Sequence, residues 1–117
     1  MRFGLNLMLW CDTLEDSILP VLEDIKKIGY DAVELPIFEY DVPKYALWGK
    51  RLNDLGLART GTTIRLPGNN PISHDAAERC AGVNGNKAAL DCAAAAGCEV
   101  LAGPFHSAPN CFTMRLS

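Results

Sequence analysis

Gly29-Tyr30-Asp31-Ala32-Val33-Glu34-Leu35 is the stretch that decides the fold. A glycine stands directly before an apolar run of strand length. In the segment ahead of it, Leu14, Ile18, Val21, Leu22, Ile25 and Ile28 fall on one helical stripe. Glycine suits the left-handed position that ends a helix without a Cβ clash, so the stretch marks a helix giving way to a strand. The pattern recurs twice. Gly56 precedes Leu57-Ala58-Arg59-Thr60-Gly61-Thr62-Thr63-Ile64, and Gly97 precedes Cys98-Glu99-Val100-Leu101-Ala102.

Each glycine has a helix before it. Pro20 fits the first if that helix begins near Ser17, because a first-turn proline loses no hydrogen bond. Lys26 and Lys27 then lie in the last turn, where cations suit the helix dipole. The second helix opens at Asp41-Val42-Pro43, a cap residue followed by proline, and Tyr45, Trp48, Leu52 and Leu55 form its buried face. The third opens at Asp75 with Glu78 three residues on, a capping-box spacing, and runs to Ala96. Gly82 and Gly85 should weaken its middle by about 1 kcal/mol each relative to alanine. A first strand, Phe3-Gly4-Leu5-Asn6-Leu7-Met8-Leu9, precedes all three helices.

The order is β-α-β-α-β-α-β, with strands expected near residues 2–9, 31–37, 58–64 and 98–103. Strands joined through single helices run parallel. Near-continuous apolar strands agree with burial on both faces. A doubly wound sheet announces itself with a glycine-rich turn after its first strand. Here that turn is Trp10-Cys11-Asp12-Thr13, without glycine, which favours a barrel. A (β/α) barrel takes eight strands and typically about 250 residues. The chain has 117, so the expectation is an α/β fold, a partial TIM (β/α)8 barrel of about four parallel strands and three helices.

Composition removes several classes. Hydrophobic residues are 49% and the net charge is −3, which argues against a disordered chain and against a nucleic-acid binder that needs a basic face. No apolar run reaches the roughly 18 residues of a membrane span, and no signal-peptide cleavage pattern follows Met1. The cysteines Cys11, Cys80, Cys92, Cys98 and Cys111 are odd in number and hold no C-x-x-C pair. Free thiols and a cytoplasmic protein are the expectation.

Together, Gly4-Leu5-Asn6 with Trp10, Gly29-Tyr30-Asp31-Ala32-Val33-Glu34, Leu90-Asp91-Cys92-Ala93 with Gly97, and Ala102-Gly103-Pro104-Phe105-His106-Ser107 resemble the xylose-isomerase-like barrels of the sugar phosphate isomerase/epimerase family. That family includes ketose 3-epimerases and hydroxypyruvate isomerase-like proteins. The resemblance covers residues 2–109 and rests on the order and spacing of short motifs. It implies a small sugar or sugar phosphate at the carboxyl-end mouth. It also implies a divalent metal, manganese or magnesium, held in the full-length family by two glutamates, an aspartate and a histidine from later strands. No metal ligand and no catalytic residue is therefore assignable here. Residues 1–109 read as the amino-terminal half of such a domain. Residues 110–117 depart from the pattern, as a truncation or an altered reading frame would.

The candidate substrate-binding residues are Asn6, Trp10, Glu34 and His106. Trp10 ends the first strand and offers a flat apolar wall to a sugar, or ordinary packing at the rim. Asn6 is polar in an apolar strand, available to substrate or to a neighbouring strand. Glu34 is a carboxylate between Val33 and Leu35. It is either a polar anchor in the pocket or the partner of Arg59 or Arg65. His106 ends the fourth strand, where barrels place site residues. Glu39 and His74 read as solvated loop residues, and Glu39 is also a base candidate near the mouth. Two other functions compete. One is a fragment of an apurinic-site endonuclease-like barrel, with His74 and His106 as its available zinc ligands. The other is a non-catalytic half-barrel that works by pairing with another chain. Exposed strand edges should in any case promote self-association into homo-oligomers.

Overall fold

The computed structural model describes residues 1–112. Its strands are β1 (Gly4–Asn6), β2 (Ala32–Pro36), β3 (Ala58–Thr62) and β4 (Leu101–Ala102), and its helices are α1 (Leu19–Ile28), α2 (Val42–Leu55) and α3 (Ala76–Ala95). The strands form one parallel sheet in the order β1-β2-β3-β4. That order separates the two architectures left open above. A doubly wound sheet reverses direction at a switch point; this one steps sideways once per helix, as a barrel wall does.

The helix-to-strand joins form as the glycines predict. Gly29 and Gly56 cap α1 and α2 in the left-handed conformation, at φ 112° and 69°. α1 begins after a 3-10 turn, Asp16–Ile18, and carries Pro20 in its first turn. Asp41 caps α2 by accepting from the Lys44 amide at 3.1 Å, and Asp75 caps α3 by accepting from the Ala77 amide at 3.2 Å. Glu78 does not complete a capping box. Its carboxylate instead accepts from the Gly68 amide and the Ser73 hydroxyl, at 2.7 and 2.6 Å, and ties the loop before α3 to the helix.

Other expectations change too, and β4, expected near residues 98–103, spans only Leu101–Ala102. The first strand is shorter than residues 2–9: Asn6 Oδ1 accepts from the Met8 amide at 2.8 Å and starts a 3-10 turn, Leu7–Leu9. Trp10 therefore follows a turn rather than ending a strand. The α1 stripe also stops short, because Ile28 is 73% exposed while Leu22 and Ile25 are buried.

α3 runs unbroken through Gly82 and Gly85, and the reason is tertiary. A Cβ on Gly82 would lie 2.6 Å from the Pro71 nitrogen and 2.7 Å from the Asn69 carbonyl oxygen. A Cβ on Gly85 would collide with Arg65 Nη1. The missing side chains admit the β3–α3 loop and a buried guanidinium.

The core lies between the sheet and the helices. Val33, Leu35 and Ile37 of the β2 segment pack with Leu22, Ile25, Tyr45, Trp48, Leu52 and Cys92. Alternation along a strand puts Glu34 and Pro36 on the other face. Arg59 lies on the helix side and gathers chain ends. Its guanidinium donates to the carbonyls of Leu57, Gly49 and Ala96 and to Asn53 Oδ1, at 2.6 to 3.4 Å. All five cysteines are free. Burial pushes the Cys98 thiol up to about 11, so it stays protonated and unreactive at neutral pH. Among the described residues, no helix is long and apolar enough to cross a membrane. Of the tail, 110–117, residues 113–117 lie outside the described residues.

Candidate functional site

In-register pairing aligns Asn6 of β1 with Glu34 of β2, and Glu34 with Thr60 of β3. Register partners in a parallel sheet project to the same side, so these three form a polar row on the face turned away from the helices. All three are half-buried. The Thr60 hydroxyl lies 3.5 Å from Glu34 Oε2, at the limit of hydrogen bonding. Asn6 commits its Oδ1 to the Met8 amide.

Glu34 does not pair with either arginine. Arg59 is on the opposite face, bound to helix carbonyls. Arg65 is 1% exposed and donates from Nη1 to the Tyr40 hydroxyl at 2.6 Å and from Nη2 to Thr63 Oγ1 at 2.8 Å. The ion pairs among the described residues are Lys44–Glu39 and Arg51–Asp16, so Glu34 faces the concave side of the sheet without a cation.

Trp10 and His106 both lie beyond the carboxyl ends of parallel strands, and so at the same end of the sheet. Trp10 is half exposed, at 49%, and His106 is exposed. β4 ends at Ala102, so His106 sits four residues past it. The pairing nevertheless continues, through Thr63 N to Ala102 O at 3.0 Å and Arg65 N to Pro104 O at 3.3 Å. β1 and β4 are the outer strands. Three strand spacings separate them, about 14 Å along the sheet, with Glu34 between. The structure thus brings Asn6 and Glu34 side by side and leaves Trp10 and His106 on opposite flanks of the same end.

Glu39 is not merely solvated. It accepts from Thr13 and pairs with Lys44 at 3.0 Å. The Thr13 hydroxyl, and after it Lys44, hold its carboxyl below the usual value. This network ties the loop after β1 to the loop after β2. At the same end, a cleft of about 350 Å³ is lined by Ile72, Ser73, His74, Glu78, Cys111 and Phe112, among others. None of the four candidate residues lines it. His74 is exposed, with its carbonyl accepting from Arg79.

Sequence reasoning passed over Thr60 and Tyr40. Thr60 was legible only from strand register, because period-2 alternation counts along one strand and cannot align two. Tyr40 sits in a loop without periodicity, and a buried arginine fixes its hydroxyl.

Among the described residues, no group of three or more His, Cys, Asp or Glu side chains could hold a metal ion. The donor set present does not fit the divalent site that the resemblance implies.

Comparison with known proteins gives one consistent answer at the level of fold. No protein-family profile and no curated protein matches the chain. Solved structures do. A D-psicose 3-epimerase crystallised in the presence of D-fructose superposes with a TM-score of 0.78 at 26% identity, over 100% of this chain and 42% of its own. A D-allulose 3-epimerase from Methylomonas sp., in complex with D-allulose, gives 0.81 at 19% identity, over 100% and 41%. An L-ribulose 3-epimerase gives 0.76 at 22% identity, over 92% and 36%. The chain therefore spans about two-fifths of the length of the proteins it resembles. Its four parallel strands and three helices match part of the TIM barrel of these structures.

Proposed function

We propose that this chain supplies part of a sugar-binding mouth in a barrel that isomerises or epimerises a ketose or sugar phosphate, with residues 1–109 as the barrel portion. The observation that carries the reading is the row Asn6, Glu34 and Thr60 on the concave face, with no cation beside Glu34. A carboxylate flanked by an amide and a hydroxyl offers both donors and acceptors to the adjacent hydroxyls of a sugar. Trp10 adds an apolar wall and His106 a second polar group from the far flank. The superposed epimerases, named for psicose, allulose and ribulose, support the substrate class.

Such chemistry removes a proton beside a carbonyl. It needs a base within about 3 Å of that proton and an electrophile on the oxygen. In the resembled family a divalent metal supplies the electrophile; among the described residues its site does not assemble. Of the carboxylates near the mouth, Glu39 is a weakened base because Thr13 and Lys44 hold it ionised. Glu34 binds, in this reading, and the chemistry belongs to barrel strands beyond these four.

The experiment has two arms. D-fructose titrated into the 117-residue chain should shift Trp10 emission, and Glu34→Gln should abolish the shift; no shift at saturating sugar would overturn the mouth. With ketohexose and manganese in deuterated solvent, no deuterium should enter the carbon beside the carbonyl. Turnover that disappears in Glu34→Gln would mean that the chain carries its own base.

A further inference from the structure

We infer that the Thr13 hydroxyl and the Lys44 ammonium are positioning groups for Trp10: with Glu39 they hold the loop after β1 on the loop after β2 and so fix the tryptophan at the mouth. Their part in sugar binding rests on the function proposed above. The fixing of Trp10 stands on the contacts alone.

Trp10 rides on an arch pinned at its two ends. Leu7 and Leu14 are 0% and 2% exposed and belong to the core. Between them Met8, Leu9, Trp10 and Asp12 are exposed, and Cys11 and Thr13 are half-buried. Among the described residues, the hydrogen bonds of residues 8–12 are local. The Met8 amide donates to Asn6 Oδ1, and the Trp10 amide, the Cys11 amide and the Cys11 thiol donate to the Leu7 carbonyl. Cys11 also packs against the core, an apolar contact without direction. Among the described residues, the hydrogen bonds that tie the arch to another element are those of Thr13.

The loop that receives Thr13 is itself held from several sides. The Ile37 amide donates to the Thr62 carbonyl at 2.8 Å, and the Ile37 side chain is buried. The Tyr40 hydroxyl accepts from the buried Arg65 at 2.6 Å, and Asp41 caps α2. Glu39 therefore stands in a segment whose neighbours on both sides are anchored.

The chemistry of the three groups decides who donates. An ammonium has three hydrogens and no acceptor, a carboxylate only accepts, and a hydroxyl does both. Lys44 Nζ lies 3.1 Å from Thr13 Oγ1 and 3.1 and 3.0 Å from the two oxygens of Glu39, so all three of its hydrogens are used. Thr13 Oγ1 accepts one of them and turns its own hydrogen to Glu39. The triangle closes only with a hydroxyl at position 13. Lys44 lies in the first turn of α2 with its amide on the Asp41 cap, so its ammonium starts from a fixed backbone. An isolated exposed ion pair contributes little. Here the Lys44 side chain is only 23% exposed, and charge-assisted bonds join three groups. A tryptophan held in place before a ligand arrives need not be ordered on binding.

The test compares Thr13→Val, which removes the hydroxyl and keeps the side-chain shape, with Thr13→Ser, which keeps the hydroxyl. Acrylamide, a neutral quencher, reaches Trp10, 49% exposed, far more readily than Trp48, at 2%, so quenching of the folded chain reads the arch. Thr13→Val, and independently Lys44→Met, should raise the quenching and weaken D-fructose binding about fivefold, the order of the cost of ordering one side chain. Thr13→Ser should leave both at the wild-type level. Unchanged quenching in Thr13→Val would overturn the inference, even if its melting temperature fell, because a network that only stabilises the fold acts in that way. Quenching as high in Thr13→Ser as in Thr13→Val would overturn it too. Raised quenching with unchanged fructose binding would remove the role in sugar binding. A wild-type chain that does not respond to fructose would sink the mouth, while the quenching comparison still decides what positions Trp10. Far-ultraviolet circular dichroism checks that each variant is folded.

Discussion

At the scale of single residues, the surroundings decide chemistry more than identity does. Glu34 and Glu39 are both carboxylates near one end of the sheet. Glu39 is spent on Thr13 and Lys44, while Glu34 meets only a distant hydroxyl and stays available. Tyr45 shows the same rule with a testable sign. Its hydroxyl donates to the Pro36 carbonyl at 3.0 Å inside the core, and burial pushes its pKa up to about 12 from 10.0. The folded state then resists an ionisation that the unfolded chain accepts. Stability contributed by the neutral phenol is intact below pH 10 and declines from there to about pH 12. Urea denaturation across this range should show that decline, and Tyr45→Phe should flatten it. Tyr45→Phe should also cost about 1–3 kcal/mol at neutral pH, because the buried Pro36 carbonyl loses its donor. An equally steep decline in the variant would assign it to other groups.

At the scale of elements, α3 sets propensity against packing. Replacing Gly82 by alanine gains about 1 kcal/mol of helix propensity. It also drives a Cβ to 2.6 Å from the Pro71 nitrogen, and overpacking against backbone typically costs about 1–3 kcal/mol. The neighbour is a loop backbone that cannot rotate away, so the packing term wins. Gly82→Ala should lower the denaturation midpoint, and a rise would mean that the loop yields freely. The same contact has a functional side, because the β3–α3 loop that Gly82 admits carries Asn70. Asn70 Oδ1 accepts from the Ile72 and Ala108 amides, at 3.2 and 3.1 Å, and so positions the segment after β4 that bears His106.

At the scale of the whole molecule, an open wall of four strands has a concave face and two edges that a closed barrel would cover. If a second copy covers them, folding is linked to association, and mass action makes the melting temperature depend on concentration. Thermal unfolding should then shift upward as the chain is concentrated. A melting temperature independent of concentration would leave the edges without a partner.

Much of this was legible in the residues. The repeated glycine-then-strand pattern, the proline in the first turn of α1, and the Asp41 and Asp75 caps are local effects, settled within a few residues of backbone. They determined the elements, their order and, through single-helix crossovers, their parallel direction. The choice of a barrel followed from a turn lacking glycines. The meetings of distant residues, by contrast, came from tertiary packing. Strand register set Asn6, Glu34 and Thr60 in one row. The packing of α3 on the β3–α3 loop turned two apparently weakening glycines into required ones. The fold also sent Arg59 and Arg65 to partners other than Glu34. The physical reason is range: caps and turns are fixed by neighbours along the chain, whereas register, close approach and the partner of a buried charge depend on groups tens of residues away.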